Sequence, residues 1–424
     1  MMSAVWLHVG QCGNQIGQEW WRIITEGAGH SCEADRYPFL SRDGKLGAVC
    51  VDSEPKVLRK AQKLVKHGCF RESNLIVGQE GRGSNWAYGY YGPPNEGERG
   101  LLQRTMESFR KETERRDCYS GTVLFHSLSG GTGAGLGARL CEEIREAYPV
   151  GHILSVSVAP HQAGESPLQH YNTLLCLAAL QRSADGVLLF HNDEALSRVL
   201  SLQSRSPSSL SSPQAQASLS SMNSHIASCL AGLLYPVHNL TTPRISLGLE
   251  PWELLRSVSP VPATKFLHTT QAHTRSTVLW DSLAASTLQM LPRHSPSGNP
   301  HYSSAVLAVA RGDQCNSFLS SLDPVLRRLR HGHRCAAWNP FPIDYWTDPQ
   351  DVVSPSPSSR SLTVCSNHSS VTDLLQRVGE RAHDMFQARA YLHWYHRYGC
   401  EDQDFLQAFD TLRTVTEEYR AGEE

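Results

Sequence analysis

The sequence has no long apolar run, no block of like charge and no closely spaced cysteine pair, and each absence removes a class of protein. No stretch is long and apolar enough to span a bilayer, and the opening Met1-Met2-Ser3-Ala4-Val5-Trp6 has neither a basic start nor an apolar core of signal-peptide length. With 39 Lys and Arg against 41 Asp and Glu the net charge is −2, and without a polybasic block there is no footprint for nucleic acid or an anionic membrane. The 12 cysteines are scattered with no Cys-x-x-Cys, as suits a reducing compartment in which most are small buried hydrophobes. A cytoplasmic protein is expected. His331-Gly332-His333-Arg334-Cys335 lacks a second ligand cluster at a metal-site spacing, so it reads as a solvated basic turn. At 424 residues, the chain has length for two or three domains sharing large cores.

What is present centres on Ser127-Leu128-Ser129-Gly130-Gly131-Thr132-Gly133-Ala134-Gly135-Leu136-Gly137. The β-rich run Gly121–His126 precedes it, and Leu140, Cys141 and Ile144 follow it at helical spacing. Strand, glycine loop and helix together make an anion site, because unpaired N–H groups at a helix start point at the ligand and the helix dipole favours negative charge. Glycines let backbone approach phosphate oxygens, and the hydroxyls of Ser127 and Thr132 can donate to them. A Walker-type loop would need Gly-Lys-Ser/Thr, and no lysine occurs between Lys111 and Lys265. A dinucleotide fingerprint needs Gly-x-Gly-x-x-Gly and an acidic residue about 20 residues on. Here the spacing is Gly133-x-Gly135-x-Gly137, and the next strand, Ile153 to Ala159, ends in Pro160-His161-Gln162. On pattern alone, a small-residue turn where helix packs on strand stays open beside the phosphate cradle.

Gly-Gly-Thr-Gly-Ala-Gly resembles the glycine-rich signature of the tubulins, and Gly10-Gln11-Cys12-Gly13-Asn14-Gln15-Ile16-Gly17 is similar to their opening motif. The implied fold is α/β: a mostly parallel nucleotide-binding sheet flanked by helices (1–193), a core helix (194–235), a mixed α/β intermediate domain (236–365) and a C-terminal helical hairpin (366–424). The implied ligand is GTP or GDP with Mg²⁺. Val5 to Val9 ends in the first glycine turn, a second strand–glycine–helix unit, and the resemblance assigns Gly10, Gln11, Cys12 and Gln15 to the nucleotide. From the signature itself it assigns Ser127, Gly130, Gly131, Thr132 and Gly133.

Ala48-Val49-Cys50-Val51-Asp52-Ser53-Glu54-Pro55 reads as the next strand, ending in two carboxylates two apart, and alternate residues of an extended segment share a face, so Asp52 and Glu54 can both look toward a phosphate-bound Mg²⁺. A solvated carboxylate pair is the plainer alternative. Gly81-Arg82-Gly83-Ser84-Asn85-Trp86-Ala87 looks like a further tubulin loop and adds Ser84 and Asn85 to the site. Arg82 there could pair with a γ-phosphate or point to solvent. In Gly164-Glu165-Ser166-Pro167-Leu168-Gln169-His170-Tyr171-Asn172, Gln169 stands where α- and β-type chains carry a ribose-binding glutamate, and the pattern looks more like the delta or zeta branch. Asn192 and Asn223 match base-reading asparagines, whose amides offer a purine both a donor and an acceptor. Leu219 replaces an aromatic that would stack on guanine.

Ser201 to Ser221, with Ser206-Pro207 and Ser212-Pro213, reads as a flexible insertion and possible phosphorylation site ahead of a helix to Leu234. Glu253 falls at the position of the carboxylate with which α-type tubulins hydrolyse a neighbour's nucleotide, although the upstream Asn-x-Asp is here Gly248-x-Glu250. Strands are expected at Tyr302 to Ala310 and Ala336 to Trp338, a second flexible loop at Ser354–Ser359, and helices at Val371 to Ala390 and Asp402 to Tyr419. The final Arg420-Ala421-Gly422-Glu423-Glu424 lacks the long acidic tail of α and β chains, so recognition by motors through such a tail is not expected. The resemblance thus implies a GTP-binding divergent tubulin of centrioles, basal bodies or cilia. Its partners would be other tubulin-family subunits and centriolar or basal-body proteins, with neither nucleic acid nor membrane. A slow GTPase active on assembly is one form of this; a scaffold that has lost nucleotide is the other.

Overall fold

The strand β1 (Ala4–Val9) reads AVWLHV and is buried along its whole length. A strand with no wet face belongs inside a parallel sheet covered on both sides. The computed structural model describes residues 4–27, 39–41, 43–64, 70–93, 100–116, 118–204, 218–238, 246–275, 278–313, 317–354 and 358–423. Most of the serine-rich stretch, including Ser206-Pro207 and Ser212-Pro213, and Pro355–Pro357 of the second loop lie outside the described residues.

Five more strands, β2 (Ala48–Asp52), β3 (Leu75–Val77), β4 (Gly121–Ser127), β5 (His152–Ala159) and β6 (Gly186–His191), join β1 in the order β3-β2-β1-β4-β5-β6, all parallel. This is the order of a doubly wound sheet, in which the chain leaves β1 and β4 in opposite directions and opens a crevice at their carboxyl ends. The connecting helices are α1 (Gly10–Gly27), α2 (Pro55–Leu64), α3 (Trp86–Tyr91), α4 (Leu101–Glu114), α5 (Gly137–Ala147) and α6 (Gln169–Ser183). Then α7 (Asn192–Ser204) and α8 (Leu219–Leu234) lead to a small ribbon of β7 (Val237–His238) and β8 (Ser246–Leu247).

The sheet does not stop there. After α9 (Leu254–Val258), the strand β9 (Phe266–Thr274) pairs in parallel with β6, Val187 facing Phe266. Beyond it the order is β12 (Arg360–His368), β10 (Ser303–Arg311) and β11 (Ile343–Asp348), with β12 antiparallel to both of its neighbours. Helices α10 (Trp280–Leu288), α11 (Ser317–Ser320) and α12 (Leu322–Gly332) cover one face of this mixed part, and α13 (Val371–Gln387), α14 (Leu392–His396) and α15 (Asp402–Ala421) close the chain. Among the described residues no helix is long and apolar enough to cross a membrane.

Alternation along β1 feeds two cores. Val5, Leu7 and Val9 pack with α6 and the C-terminal helices, where Leu174, Leu374, Phe405 and Tyr419 lie. On the opposite face Trp6 stacks on Trp20 with ring centroids 4.9 Å apart, and Trp21, Ile226 and Leu230 complete that side. The central helix α8 is locked at its end by Arg311 of β10, which is fully buried and donates to the carbonyls of Gly232 (2.8 Å), Tyr235 and Pro236 (3.3 Å). Gly232 belongs to the last turn, whose carbonyls the helix leaves unpaired, and Tyr235 and Pro236 follow directly after it.

Two expectations need correction. Ala336 to Trp338 is a turn, in which only Cys335 bridges to Ser303; Arg334 takes φ 47°, and the strand forms later, at Ile343, beyond Pro340 and Pro342, which have no N–H to give a ladder. The turn His331–Cys335 is not uniformly solvated, because His333 is buried with its imidazole 3.0 Å from the Ser303 hydroxyl.

Candidate functional site

The carboxyl ends of β1 and β4 carry the two glycine turns, and the turns touch. Gly10 takes φ 72°, and a Cβ there would lie 2.8 Å from the Gly133 nitrogen. Only glycine allows both that dihedral and that approach. Asn14 fixes the turn by donating to the carbonyls of Gly10 and Val51, both at 2.8 Å. On the other side Gly131–Leu136 winds as a single π-helical turn before α5. Such wide turns collect at functional sites.

Not every glycine of the signature faces the crevice. A Cβ on Gly131 would come within 2.5 Å of the Arg82 carbonyl, and one on Gly135 within 2.2 Å of the Trp86 carbonyl. Those two let the segment Arg82–Tyr90 lie directly on the loop. Close packing of segments is therefore one use of the signature's glycines, and it leaves the crevice-facing ones free for a ligand. Beneath the loop, His126 bonds Ser155 and Ser157 hydroxyls at 2.8 and 3.1 Å, and burial lowers its pKa to about 4, so it is a neutral support.

The crevice is a cleft of about 620 Å³. Gln11, Cys12, Gln15, Ser84, Ser127, Gly130, Gly131, Thr132, Gly133, Asn192 and Asn223 all line it, as do Asp52 and Glu54. The Ser53 and Thr132 hydroxyls are 2.7 Å apart and join the carboxylate corner to the glycine loop. Burial, helped by the Glu54 charge, pushes the Asp52 carboxyl up to about 6, against the pull of backbone N–H groups of Glu54 and Ser53. Among the described residues no three His, Cys, Asp or Glu side chains gather as a metal cage. Carboxylates and hydroxyls are the hard oxygen donors that suit Mg²⁺ carried in on phosphates, which keeps most of its other ligands as water. Arg82 is buried, lies over the Tyr88 ring at 5.0 Å and reaches the cleft wall, so the solvent-facing alternative falls.

At the other end of the cleft Asn223 donates to Gln15 at 3.3 Å, and Asn192 donates to Glu165 at 3.2 Å. Leu219 is 61% exposed at the mouth, with no ring to offer. Burial and the Glu165 charge push the Cys12 thiol up to about 12, so it stays protonated. Besides Gly10 of the turn itself, two residues assigned from sequence lie behind the lining. Gln169 is buried and accepts from the Glu165 amide at 2.7 Å, propping the loop. Asn85 caps α3 by accepting from Ala87 and Tyr88 N–H groups, and donates to the Trp394 carbonyl at 3.0 Å.

Sequence reasoning passed over Lys56, Ser129, His161 and Glu165, which also line the cleft. It also quoted Asn172 without a role. That amide donates to the Ser84 and Ser129 carbonyls, both at 2.7 Å, while its oxygen accepts from the Trp86 N–H (2.8 Å) and the Tyr395 hydroxyl (2.6 Å). One buried side chain thus ties both loops to the C-terminal helices. The available signal was an asparagine opening an otherwise apolar helix.

Glu253 is elsewhere. Its two oxygens accept from the N–H groups of Gly248 (2.9 Å) and Glu250 (3.2 Å). The adjacent Trp252 stacks on His152 and crowds Gly121, the first residues of β5 and β4. Glu253 is therefore at the amino end of the parallel strands, a strand length of about 20 Å from the cleft.

Residues 3–199 match the family model described as Tubulin/FtsZ family, GTPase domain. Over nearly their full lengths the chain is similar to several tubulins. A beta chain of the Guillardia theta nucleomorph is 28% identical over 99% of this chain and 96% of that one. The beta chain of Schizophyllum commune is 27% identical over 99% and 95%, and the delta chain of Canis lupus familiaris is 27% identical over 99% of both.

Proposed function

Starting from the finding that the chain is a divergent member of the tubulin superfamily, we propose that it binds GTP or GDP in the β1/β4 crevice and uses the nucleotide to control end-to-end contact with another tubulin-like subunit. The observation that carries this is the convergence of two glycine turns, backbone against backbone at Gly10 and Gly133, beside the Ser53–Thr132 hydroxyl pair. Gln11, Cys12 and Gly130–Gly133 would hold the phosphates, with Ser127 and Ser84 beside them; Gln15, Asn192 and Asn223 would read the base. Mg²⁺ near Asp52 and Glu54, directly or through water, would offset phosphate charge.

Glu253 cannot serve its own chain's cleft from the opposite edge. In a head-to-tail pair it would face a neighbour's nucleotide, where a carboxylate can orient the attacking water. This makes a slow, assembly-dependent GTPase the expected enzyme. The divergent zeta or delta type is the branch we assign, with the cytoplasmic cytoskeleton of the centriole and basal body as its setting. The resemblance of the Gly164–Asn172 segment supports that branch.

The test is to denature purified protein and run the released ligand on anion-exchange chromatography. GDP or GTP near one per chain is expected, and Glu253→Ala should then keep nucleotide while losing turnover on assembly. If no nucleotide is released and none is taken up from GTP with Mg²⁺, the reading fails. A scaffold without nucleotide, which the exposed Leu219 favours, replaces it.

A further inference from the structure

The glycine signature Ser127–Gly137 holds no charged side chain, and the cleft it borders already carries the carboxylates of Asp52, Glu54 and Glu165. Any cation the protein sets against phosphate must therefore come from another element. Among the described residues, the lysines and arginines that line the cleft are Lys56 and Arg82. Lys56 is exposed, whereas Arg82 is only 5% exposed. Charges interact more strongly where water is excluded, so a buried guanidinium on the cleft wall has more effect on a ligand's charge than an exposed ammonium.

The backbone fixes where that guanidinium starts. Gly83 and Ser84 take φ 53° and 51°, and the Asn85 N–H donates to the Arg82 carbonyl at 3.1 Å, so two left-handed residues sit inside one tight turn. Ser84 has a side chain and is strained there; the Asn172 amide holds its carbonyl at 2.7 Å. Strain of this kind persists where the surroundings over-determine it, and it collects at ligand clamps. The turn lies on the signature: a Cβ on Gly131 would come 2.9 Å from the Arg82 Cβ, and one on Gly81 would come 2.5 Å from a Glu54 carboxylate oxygen. Arg82 thus stands at the phosphate end, beside Gly131 and the carboxylate corner. Its guanidinium lies over the Tyr88 ring at 5.0 Å, and that ring stacks on Tyr398, between α14 and α15, with centroids 4.4 Å apart. Attraction between a cation and a ring acts through charge, and it consumes none of the N–H donors that a phosphate takes.

We propose that Arg82 reads the terminal phosphate of the bound nucleotide and makes the cleft prefer a nucleoside triphosphate to a diphosphate. This rests on the nucleotide reading above and adds to it one residue and a selectivity. The backbone cradle serves the phosphates that both nucleotides share. A forked side chain rooted beside Gly131 adds a paired contact when a further phosphate is present. Tyr88, backed by Tyr398, is the positioning residue that holds the fork in place.

The experiment measures the affinities of GDP and of a non-hydrolysable GTP analogue for the full chain in Mg²⁺, by competition with a labelled nucleotide. Wild-type protein should favour the triphosphate. Arg82→Ala should weaken the triphosphate about ten- to hundredfold and leave the diphosphate within about twofold. Arg82→Lys, which keeps the charge without the fork, should fall between the two. Tyr88→Leu, on α3, should cut the preference about threefold with the arginine still present, which keeps the test standing if the Arg82 variants fold poorly. A merely structural arginine would lower both affinities together. That result, or an unchanged ratio in the variants, overturns the proposal and leaves the nucleotide reading intact; wild-type protein that takes up neither nucleotide overturns both.

Discussion

The two halves of the sheet differ in the direction of a single strand, and their chemistry differs with it. From β3 to β6 every strand is parallel, so all carboxyl ends meet one edge and backbone amides of two loops can converge on one point. From β9 to β11 the antiparallel β12 intervenes between β9 and β10, and the polar contacts that lock this half come from long side chains such as the buried Arg311. Parallel strands make sites from main chain; mixed strands must make them from side chains.

The largest expected effect should erase this contrast, because both halves bury neutral histidines. Burial lowers His8 and His333 to about 3 and His126 to about 4, from an ordinary value near 6.5. Below pH 6.5 the unfolded chain binds protons that the folded chain refuses, so stability is complete above that pH and falls as pH drops toward 4. Each histidine contributes ~1.4 kcal/mol per pH unit to that fall, and urea unfolding at pH 7 and pH 5 would show it. Equal midpoints would mean that the three rings are not held neutral.

Arg311→Ala separates the halves again. It leaves Asp348, 3.6 Å away and buried, without its cation and strips the end of α8 of its donors. A loss of about 3–5 kcal/mol is expected in thermal unfolding. Asn172→Ala in the parallel half removes four hydrogen bonds from a buried junction, with an expected loss of about 2–4 kcal/mol and a release of nucleotide. Gly10→Ala should cost less stability, about 1–2 kcal/mol for its dihedral, yet more nucleotide, because its Cβ pushes on Gly133. Released ligand on anion exchange separates these two. The smallest effect, Leu219→Tyr, sharpens the comparison by adding a ring at the cleft mouth. Nucleotide affinity should rise a few-fold, in line with about 0.5–1 kcal/mol for a stacking pair, read by competition with a labelled nucleotide.

Legibility followed distance along the chain. The strand–glycine–helix turns at Gly10 and Gly130 were readable because strand, loop and helix are contiguous and each obeys a local rule. Helix α8 begins and ends where the apolar run from Leu219 to Leu234 suggested. Ala336 to Trp338 misled because small and aromatic residues suit a strand, while the prolines that follow and the backbone of Arg334 decided otherwise. Gln169 and Asn85 sit among lining residues in sequence, yet face away from the cleft.

By itself the sequence determined the two strand–glycine–helix turns, an α/β chain and the residue types that line the crevice, because backbone conformation and hydrophobic period are set within a few residues. Only the tertiary structure decided that Gly10 touches Gly133, that Asn172 joins two loops to Tyr395, and that Glu253 stands at the far edge. These partners are brought together by the order in which strands pack, a long-range choice made by burying both faces of the sheet and recorded in no short stretch of chain.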